Sequence, residues 1–324
     1  MSSKSIAIFA MHPVPYSSPL YDELYKINKK SFVYYLDKLG IKIQYNPYFD
    51  KETSNEAIIV NGHKHKFLYN LSRNNITGFF SRINLSAIFY IIFNKYDFVL
   101  INGYQTFSSW LILISCLLTK KKIIFKGETI KTQKNKLKKF IISFFLNRSN
   151  IILYSCTGNY NSYLSLNISK TKLLSCPSCV NYDYFENIIL NLNLDSKNEF
   201  IKKLNLKPNL KIISFVSKFI ERKNPLELIN TLSKLNEEFI LIFAGNGPLK
   251  SDMVNECLKL NINYRITDFL DQEKLAYLYS ITDLYVNCSI YDASPKTLNE
   301  AIFFNIPIVC PDSVGQAKDL IFNG

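Results

Sequence analysis

The stretch "KIISFVSKFIERKNPLELINTLSKLNEEFILIFAG", residues 211–245, decides the fold. It opens on a short β-branched and aromatic run, "KIISFVS", and crosses a charged loop into "NPLELINTLSKL", whose apolar residues recur at helical spacing. It then returns to an apolar run, "EFILIFAG". Strand, helix and strand in that order form a crossover unit, and the parallel pairing it imposes buries both faces of a sheet. The rhythm continues with helix "LKSDMVNECLKL", strand "YRITDF", helix "DQEKLAYLYSIT", strand "DLYVNCS", helix "SPKTLNEAIFF" and strand "IPIVCP".

Upstream the alternation is the same. "SIAIFA", "SFVYYL", "YDFVLING", "KKIIFKGE" and "IILYSC" read as strands, with helical stretches such as "SPLYDELYKI" and "TFSSWLILISCLL" between them. A polar, low-complexity segment over 186–209, "ENIILNLNLDSKNEFIKKLNLKPN", breaks the pattern. The sequence therefore predicts an α/β fold of two Rossmann-like parallel-sheet domains facing a cleft. The first covers residues 1–190, 191–209 form a linker, and 210–324 form the second domain. At 324 residues the chain exceeds one comfortable core, and with 48% apolar residues it is not a disordered protein.

The formal charge of +13 is unevenly spread. No acidic residue lies between Glu128 and Asp183, while Lys131, Lys134, Lys136, Lys138, Lys139, Arg148, Lys170 and Lys172 do. "KTQKNKLKKFIISFFLN" reads as a basic amphipathic helix, either solvated on its Lys face or laid by residues 131–146 on an anionic membrane surface. A nucleic-acid partner is not expected, because no recognised module is visible and the charge sits beside an apolar helix rather than among aromatics. "WLILISCLL", residues 110–118, is about half the length a bilayer crossing needs. "MSSKSIAIFAMHP" reads as a first strand rather than a secretion signal. Seven scattered cysteines suit a reducing compartment, so the expected place is the cytoplasm, peripherally at the inner membrane face. "CPSC" at 176–179 has no second pair and reads as structural, and the sequon at 75–77 is uninformative in such a chain.

The chemistry concentrates in "YDASPKTLNEA", residues 291–301. Ser294 suits an N-cap and Pro295 the first helical position, so Asp292 stands just ahead of a helix and Glu300 two turns inside it. Leu298, Ala301 and Ile302 share a core face, which turns Glu300 away from it. The helix start, with Lys296 beside it, is an anion site, and ionised carboxylates are natural acceptors for vicinal diols. Lys218 and Lys223 in "VSKFIERKNP" stand at a strand end where they can converge on phosphate. "AGNGP" at 244–248 is too short to cradle a phosphate alone. A solvated helix Glu, a loop Asp and surface lysines remain the bland alternative on these residues alone.

In order and spacing, "VSKFIERKNPLELI", "LIFAGNGPL", "DFLDQEKLAYLYSITDLYVNCS" and "DASPKTLNEAIFFNIPIVCPDSVGQAKDLI" resemble the donor-binding half of glycosyltransferase family 4, retaining enzymes of the GT-B fold. "HPVPYSSPLYDEL", "YDFVLINGYQTFSSWL", "KGET" and "TGNYNSYL" resemble its acceptor half. The resemblance implies that Glu300 binds ribose and Asp292 contacts the transferred sugar. It places Lys218 and Lys223 on the donor phosphates, and Ser294, Lys296, Thr297 and Gly245 around the diphosphate. His12, Tyr104, Gln105 and Glu128 become the acceptor-side candidates. It implies sugar transfer from a nucleotide-sugar to a glycan or lipid-linked acceptor in cell-surface polysaccharide biosynthesis, with the nucleotide-sugar as co-substrate and no metal or other cofactor. A degenerate nucleotide-sugar-binding remnant and a sugar-nucleotide epimerase are the rival expectations. Three departures stand out: Asp292 occupies a position usually held by Glu, no His follows "VLINGYQ", and the chain stops at "DLIFNG", so the second domain reads as truncated.

Overall fold

The computed structural model describes residues 4–14, 16–39, 44–46, 51–53, 60, 62–72, 78–130, 135–178, 180–191, 193–206 and 210–322. Cys179 of "CPSC", the sequon at 75–77, and Lys131 and Lys134 of the basic run lie outside the described residues. The chain divides into two compact units, Met1–Tyr45 with Glu52–Pro177, and Asn46–Lys51 with Ser178–Gly324.

The first unit runs β1 (Ile6–Ala10), α1 (Ser18–Ile27), β2 (Ser31–Tyr35), β3 (Gln44–Asn46), β4 (Lys51–Thr53), β5 (His65–Phe67), α2 (Ser86–Phe93), β6 (Phe98–Asn102), α3 (Phe107–Leu118), β7 (Lys122–Lys126), α4 (Lys136–Asn147), β8 (Ile151–Tyr154), α5 (Thr157–Ser165) and β9 (Leu173–Ser175). Seven of these strands form one parallel sheet in the order β5-β2-β1-β6-β7-β8-β9, with Ile8 level with Val33 on one side and Leu100 on the other. The period of two along β1 sorts its residues between two cores. Ala7 and Phe9 join the cluster under α2, α3 and α4, while Ile8 and Ala10 meet Tyr21 of α1 with Val33 and Tyr35 of β2. β3 and β4 form a separate two-stranded sheet.

The second unit runs α6 (Tyr182–Leu190), α7 (Leu194–Leu204), β10 (Lys211–Val216), α8 (Pro225–Leu232), β11 (Phe239–Ala244), α9 (Lys250–Lys259), β12 (Tyr264–Thr267), α10 (Gln272–Tyr279), β13 (Leu284–Val286), α11 (Lys296–Phe303), β14 (Ile308–Val309) and α12 (Ala317–Leu320). Its parallel sheet has the order β12-β11-β10-β13-β14. β11 alternates as β1 does: Leu241 and Phe243 pack with α8 and α9, and Ile242 and Ala244 face the other side.

The segment expected as a linker, 191–209, is largely helix. Asn193 caps α7 by accepting from the Asp195 and Ser196 amides, and Phe200 and Leu204 close over Ile242, Ala244, Tyr277 and Leu278. Arg265 finishes the helix, its Nε donating to the Leu204 carbonyl at 2.7 Å and its Nη2 to that of Asn205 at 2.8 Å. The polarity that suggested a linker belongs to the outward face of an amphipathic helix. The division between units correspondingly falls at Pro177/Ser178, ahead of the expected boundary at 190. Among the described residues no helix is long and apolar enough to cross a membrane.

Candidate functional site

In each sheet the strand order reverses direction once, between β1 and β6 in the first unit and between β10 and β13 in the second. Loops leaving the carboxyl ends of strands at such a switch point splay apart and leave a crevice for a ligand. Every site residue expected from sequence, except those on α11 itself, lies in a loop after the carboxyl end of a strand, though Gly245 and Glu128 follow β11 and β7, away from the switch points.

In the second unit the loop after β10 carries Lys218, then tightens into a 3-10 turn over Glu221–Lys223 that ends on Asn224 in the left-handed region at φ 54°. The turn delivers Lys223 inward. Its buried ammonium forms an ion pair with the Asp292 carboxylate, which arrives from the loop after β13. Arg222 Nη1 stands 3.5 Å from the same Asp292 oxygen and donates to the Tyr291 carbonyl at 3.0 Å, while its guanidinium lies 5.3 Å over the Tyr291 ring. The Ile290 amide donates to the Arg222 carbonyl, and the Cys288 thiol points at the Lys223 and Asn224 carbonyls, both at 3.2 Å. Burial pushes the Cys288 thiol up to about 12, so it acts as a neutral tether between the two loops. The Asp292 backbone is pinned as well, bridging to Val314 and accepting from the Gly315 amide at 2.7 Å.

The result is three neighbouring cations, Lys218, Arg222 and Lys223, two of which share the Asp292 carboxylate. The Lys218 ammonium is held below its ordinary range, first by desolvation and then by the Arg222 and Lys223 charges. Cations that lower one another's basicity in this way would be relieved by an incoming anion.

α11 begins at Lys296, one residue later than expected, with Pro295 as its N-cap residue and no side chain capping its first turn. Proline has no side-chain acceptor, so Ser294 does not cap; its hydroxyl instead receives Lys296 Nζ at 3.2 Å. Tyr285, the middle residue of β13, donates to Thr297 Oγ1 at 2.7 Å, fixing the first turn against the sheet. An uncapped first turn beside Lys296 offers an anion both the helix dipole and a mobile charge.

Glu300 departs from expectation. It was to point away from the core, yet it is fully buried, and one carboxylate oxygen accepts from the Tyr279 hydroxyl at 2.8 Å. The reason is tertiary. α11 is covered on a second side, where Phe304 packs on Tyr279 and both Phe303 and Phe304 meet Phe185 of α6. Gly245 has φ 141°, and a Cβ there would sit 2.0 Å from the Ser217 carbonyl oxygen; its role is to let the loops after β10 and β11 touch.

In the first unit His12 follows β1, Tyr104 and Gln105 follow β6, and Glu128 follows β7, along neighbouring strands of one sheet edge. His12 is half-buried with its Nδ1 unpartnered among the described residues. Its basicity is lowered by burial and by Arg82, with Asp37 opposing; Arg82 and Asp37 themselves pair at 3.1 Å. Gln105 is exposed and accepts from the Tyr104 amide, and Glu128 is exposed. The Tyr104 ring instead stacks on Phe125 at 6.1 Å as part of the core. Two contributors were not anticipated: Arg222, legible in hindsight beside Lys223, and Tyr279, whose meeting with Glu300 has no local signal.

The family model described as "Glycosyl transferases group 1" matches residues 196–324, which hold all of this second-unit machinery. Over that segment, less than half of its length, the chain is similar to glycosyl transferases group 1. The chain is similar to the putative glycosyltransferase EpsF of Bacillus subtilis (strain 168), 30% identical over 111 residues, which are 33% of this chain and 29% of that protein. It is also similar to a Campylobacter jejuni alpha-1,4-N-acetyl-D-galactosaminyltransferase that acts on an undecaprenol-diphosphate glycan, 25% identical over 115 residues, 34% of this chain and 31% of that one. The chain thus spans about a third of the length of the curated relatives it matches. Across 99% of its length the chain shares the GT-B fold with solved glycosyltransferase structures. These include Anabaena Alr3699/HepE in complex with UDP and glucose (TM-score 0.72, 12% identity, 84% of that chain) and a Rickettsia africae ESF-5 glycosyltransferase (TM-score 0.74, 17% identity, 82% of that chain).

Proposed function

We propose that the protein is a retaining glycosyltransferase that moves a sugar from a nucleotide-sugar to a glycan or lipid-linked acceptor in cell-surface polysaccharide biosynthesis. The observation that carries the reading is the cation cluster Lys218, Arg222 and Lys223 facing Asp292 at the second switch point, with α11 uncapped beside it. The names of the similar proteins, and the UDP and glucose bound by the Anabaena protein, favour a sugar nucleotide as the anion.

Transfer breaks the bond between the sugar's anomeric carbon and the diphosphate oxygen, and the electron pair leaves with the diphosphate. Charge on that oxygen grows toward the transition state, so Lys218, Lys223, Lys296 and the α11 amides stabilise the transition state more than the bound donor. An acceptor hydroxyl attacking from the same face forms the new bond, and its proton passes to the departing phosphate oxygen. No protein base is then required. Asp292 contacts the transferred sugar once the diphosphate competes for Lys223. Glu300 holds ribose hydroxyls on the condition that Tyr279 yields the carboxylate.

The test is to incubate the chain with UDP-sugars, with and without a prenyl-diphosphate-linked saccharide, and to read products by NMR. A new α-linkage from an α-linked donor supports retaining transfer. A changed sugar nucleotide without any acceptor makes the protein an epimerase, and UDP binding without turnover makes it a binding remnant.

A further inference from the structure

We infer that the first unit docks on an anionic lipid bilayer through the joined outer faces of α2, α3 and α4. The three helices lie side by side on one face of the sheet. Ile91 of α2, Ile112 of α3 and Phe145 of α4 enter the same buried cluster, α2 packs along α3, and Trp110 of α3 meets Phe145 of α4 with centroids 4.9 Å apart. Right-handed crossovers from β6 to β7 and from β7 to β8 require this placement.

What the helices turn outward is apolar. Phe89 and Phe93 of α2 stack with centroids 6.1 Å apart, Leu117 and Leu118 end α3, and Phe140 and Phe144 lie one turn apart on α4. Phe93 is 75% exposed, Leu118 79% and Phe140 68%. Single exposed apolar residues are ordinary, but large apolar side chains spread over three adjoining helices mark an interaction face.

The charges select the occupant. None of the three helices contains an Asp or Glu. Lys136, Lys138 and Lys139 flank the α4 rings, Arg148 lies 4.8 Å over Phe144, and Lys120 follows α3. Two copies of such a face would repel each other, so self-association is disfavoured. Aromatic and aliphatic side chains that sink to the acyl boundary, with lysines reaching the headgroups, suit a bilayer bearing negative lipids. Helices of 8, 12 and 12 residues lie on such a surface and do not span it. The inference stands on unit 1 alone and does not depend on the donor reading.

Vesicle flotation of the full chain tests it, with phosphatidylcholine alone against phosphatidylcholine mixed with phosphatidylglycerol. The expected result is partition onto the anionic vesicles, weakened by salt, and reduced at least about tenfold in the double variant Phe89→Asp, Phe140→Asp. Both positions are solvent-exposed, and an unchanged melting temperature shows that the variant is folded. No flotation with either vesicle overturns the inference, as does equal flotation of wild type and the folded variant. A wild-type dimer that the double variant converts to monomer overturns it too, assigning the face to a second copy.

Discussion

The Lys223 ammonium closes on the Asp292 carboxylate across 69 positions of sequence, joining the turn after β10 to the loop that leads into α11. This contact spans the switch point of the second sheet, and Arg222 is second in line for the same oxygen. A carboxylate shared by two cations both holds the loops together and restrains the site's positive charge, which sets two consequences against each other.

Asp292→Asn removes the charge but keeps the shape. Lys223 loses its ionic partner in a covered place, so urea denaturation should show a loss of about 2 kcal/mol. The remaining cations should bind UDP more tightly, while sugar transfer falls. Calorimetry and turnover measured on the same variant check the pair of effects; weaker UDP binding in a folded variant would show that Asp292 does not restrain the cations.

Tyr279→Phe leaves the buried Glu300 carboxylate without that hydroxyl. The expected cost is about 1–3 kcal/mol, since a buried acceptor loses one of its donors. Glu300→Gln, which keeps volume and one acceptor, should cost less than Glu300→Ala. Thermal unfolding of the three variants gives the order.

Gly245→Ala forces a methyl onto the Ser217 carbonyl at a φ that L-residues rarely adopt. Stability should fall by about 3 kcal/mol or more. A melting temperature matching wild type would mean that the loops after β10 and β11 can part freely.

The first unit should be acid-sensitive. His63 is buried, with Nδ1 bonded to Asp22 and Nε2 facing the Tyr35 hydroxyl at 3.0 Å, and its basicity is lowered by burial despite Asp22 and with His65 adding to the effect; His12 is lowered as well. For a histidine whose folded pKa is depressed, the unfolded chain binds more protons, so stability rises with pH. It is intact above the ordinary value of 6.5 and is lost as pH falls from there through the folded values. Melting temperature followed from pH 7.5 downward should therefore decline below about 6.5. His63→Gln should flatten that decline.

The sheets were legible because parallel strands buried on both faces write continuous apolar runs. Ala7, Ile8, Phe9 and Ala10 are all buried, two to each side, and each expected strand from "SIAIFA" to "IPIVCP" is present. Three features were hidden for physical reasons. α7 shows mainly its solvent face, and only Phe200 and Leu204 reveal that it packs. α2, "SAIFYIIF", is apolar all round because its outer side is also apolar, so no period marks it as a helix. The inward turn of Glu300 is set by Tyr279 and the rings of Phe303 and Phe304, contacts that helical spacing within α11 does not encode. The loop residues Lys218, Lys223 and Asp292 were legible as candidates, but the ion pair between two of them belongs to the folded chain alone.

Calorimetric titration of UDP into the wild-type chain and into Lys218→Ala is the most direct measurement. An unchanged melting temperature shows that the Lys218→Ala variant is folded. Wild type should bind with a dissociation constant of about 1–100 μM, and the variant should bind about tenfold more weakly or worse. A folded wild-type chain that gives no heat with UDP, or a variant that binds as tightly as wild type, would contradict a nucleotide-sugar site at the cation cluster.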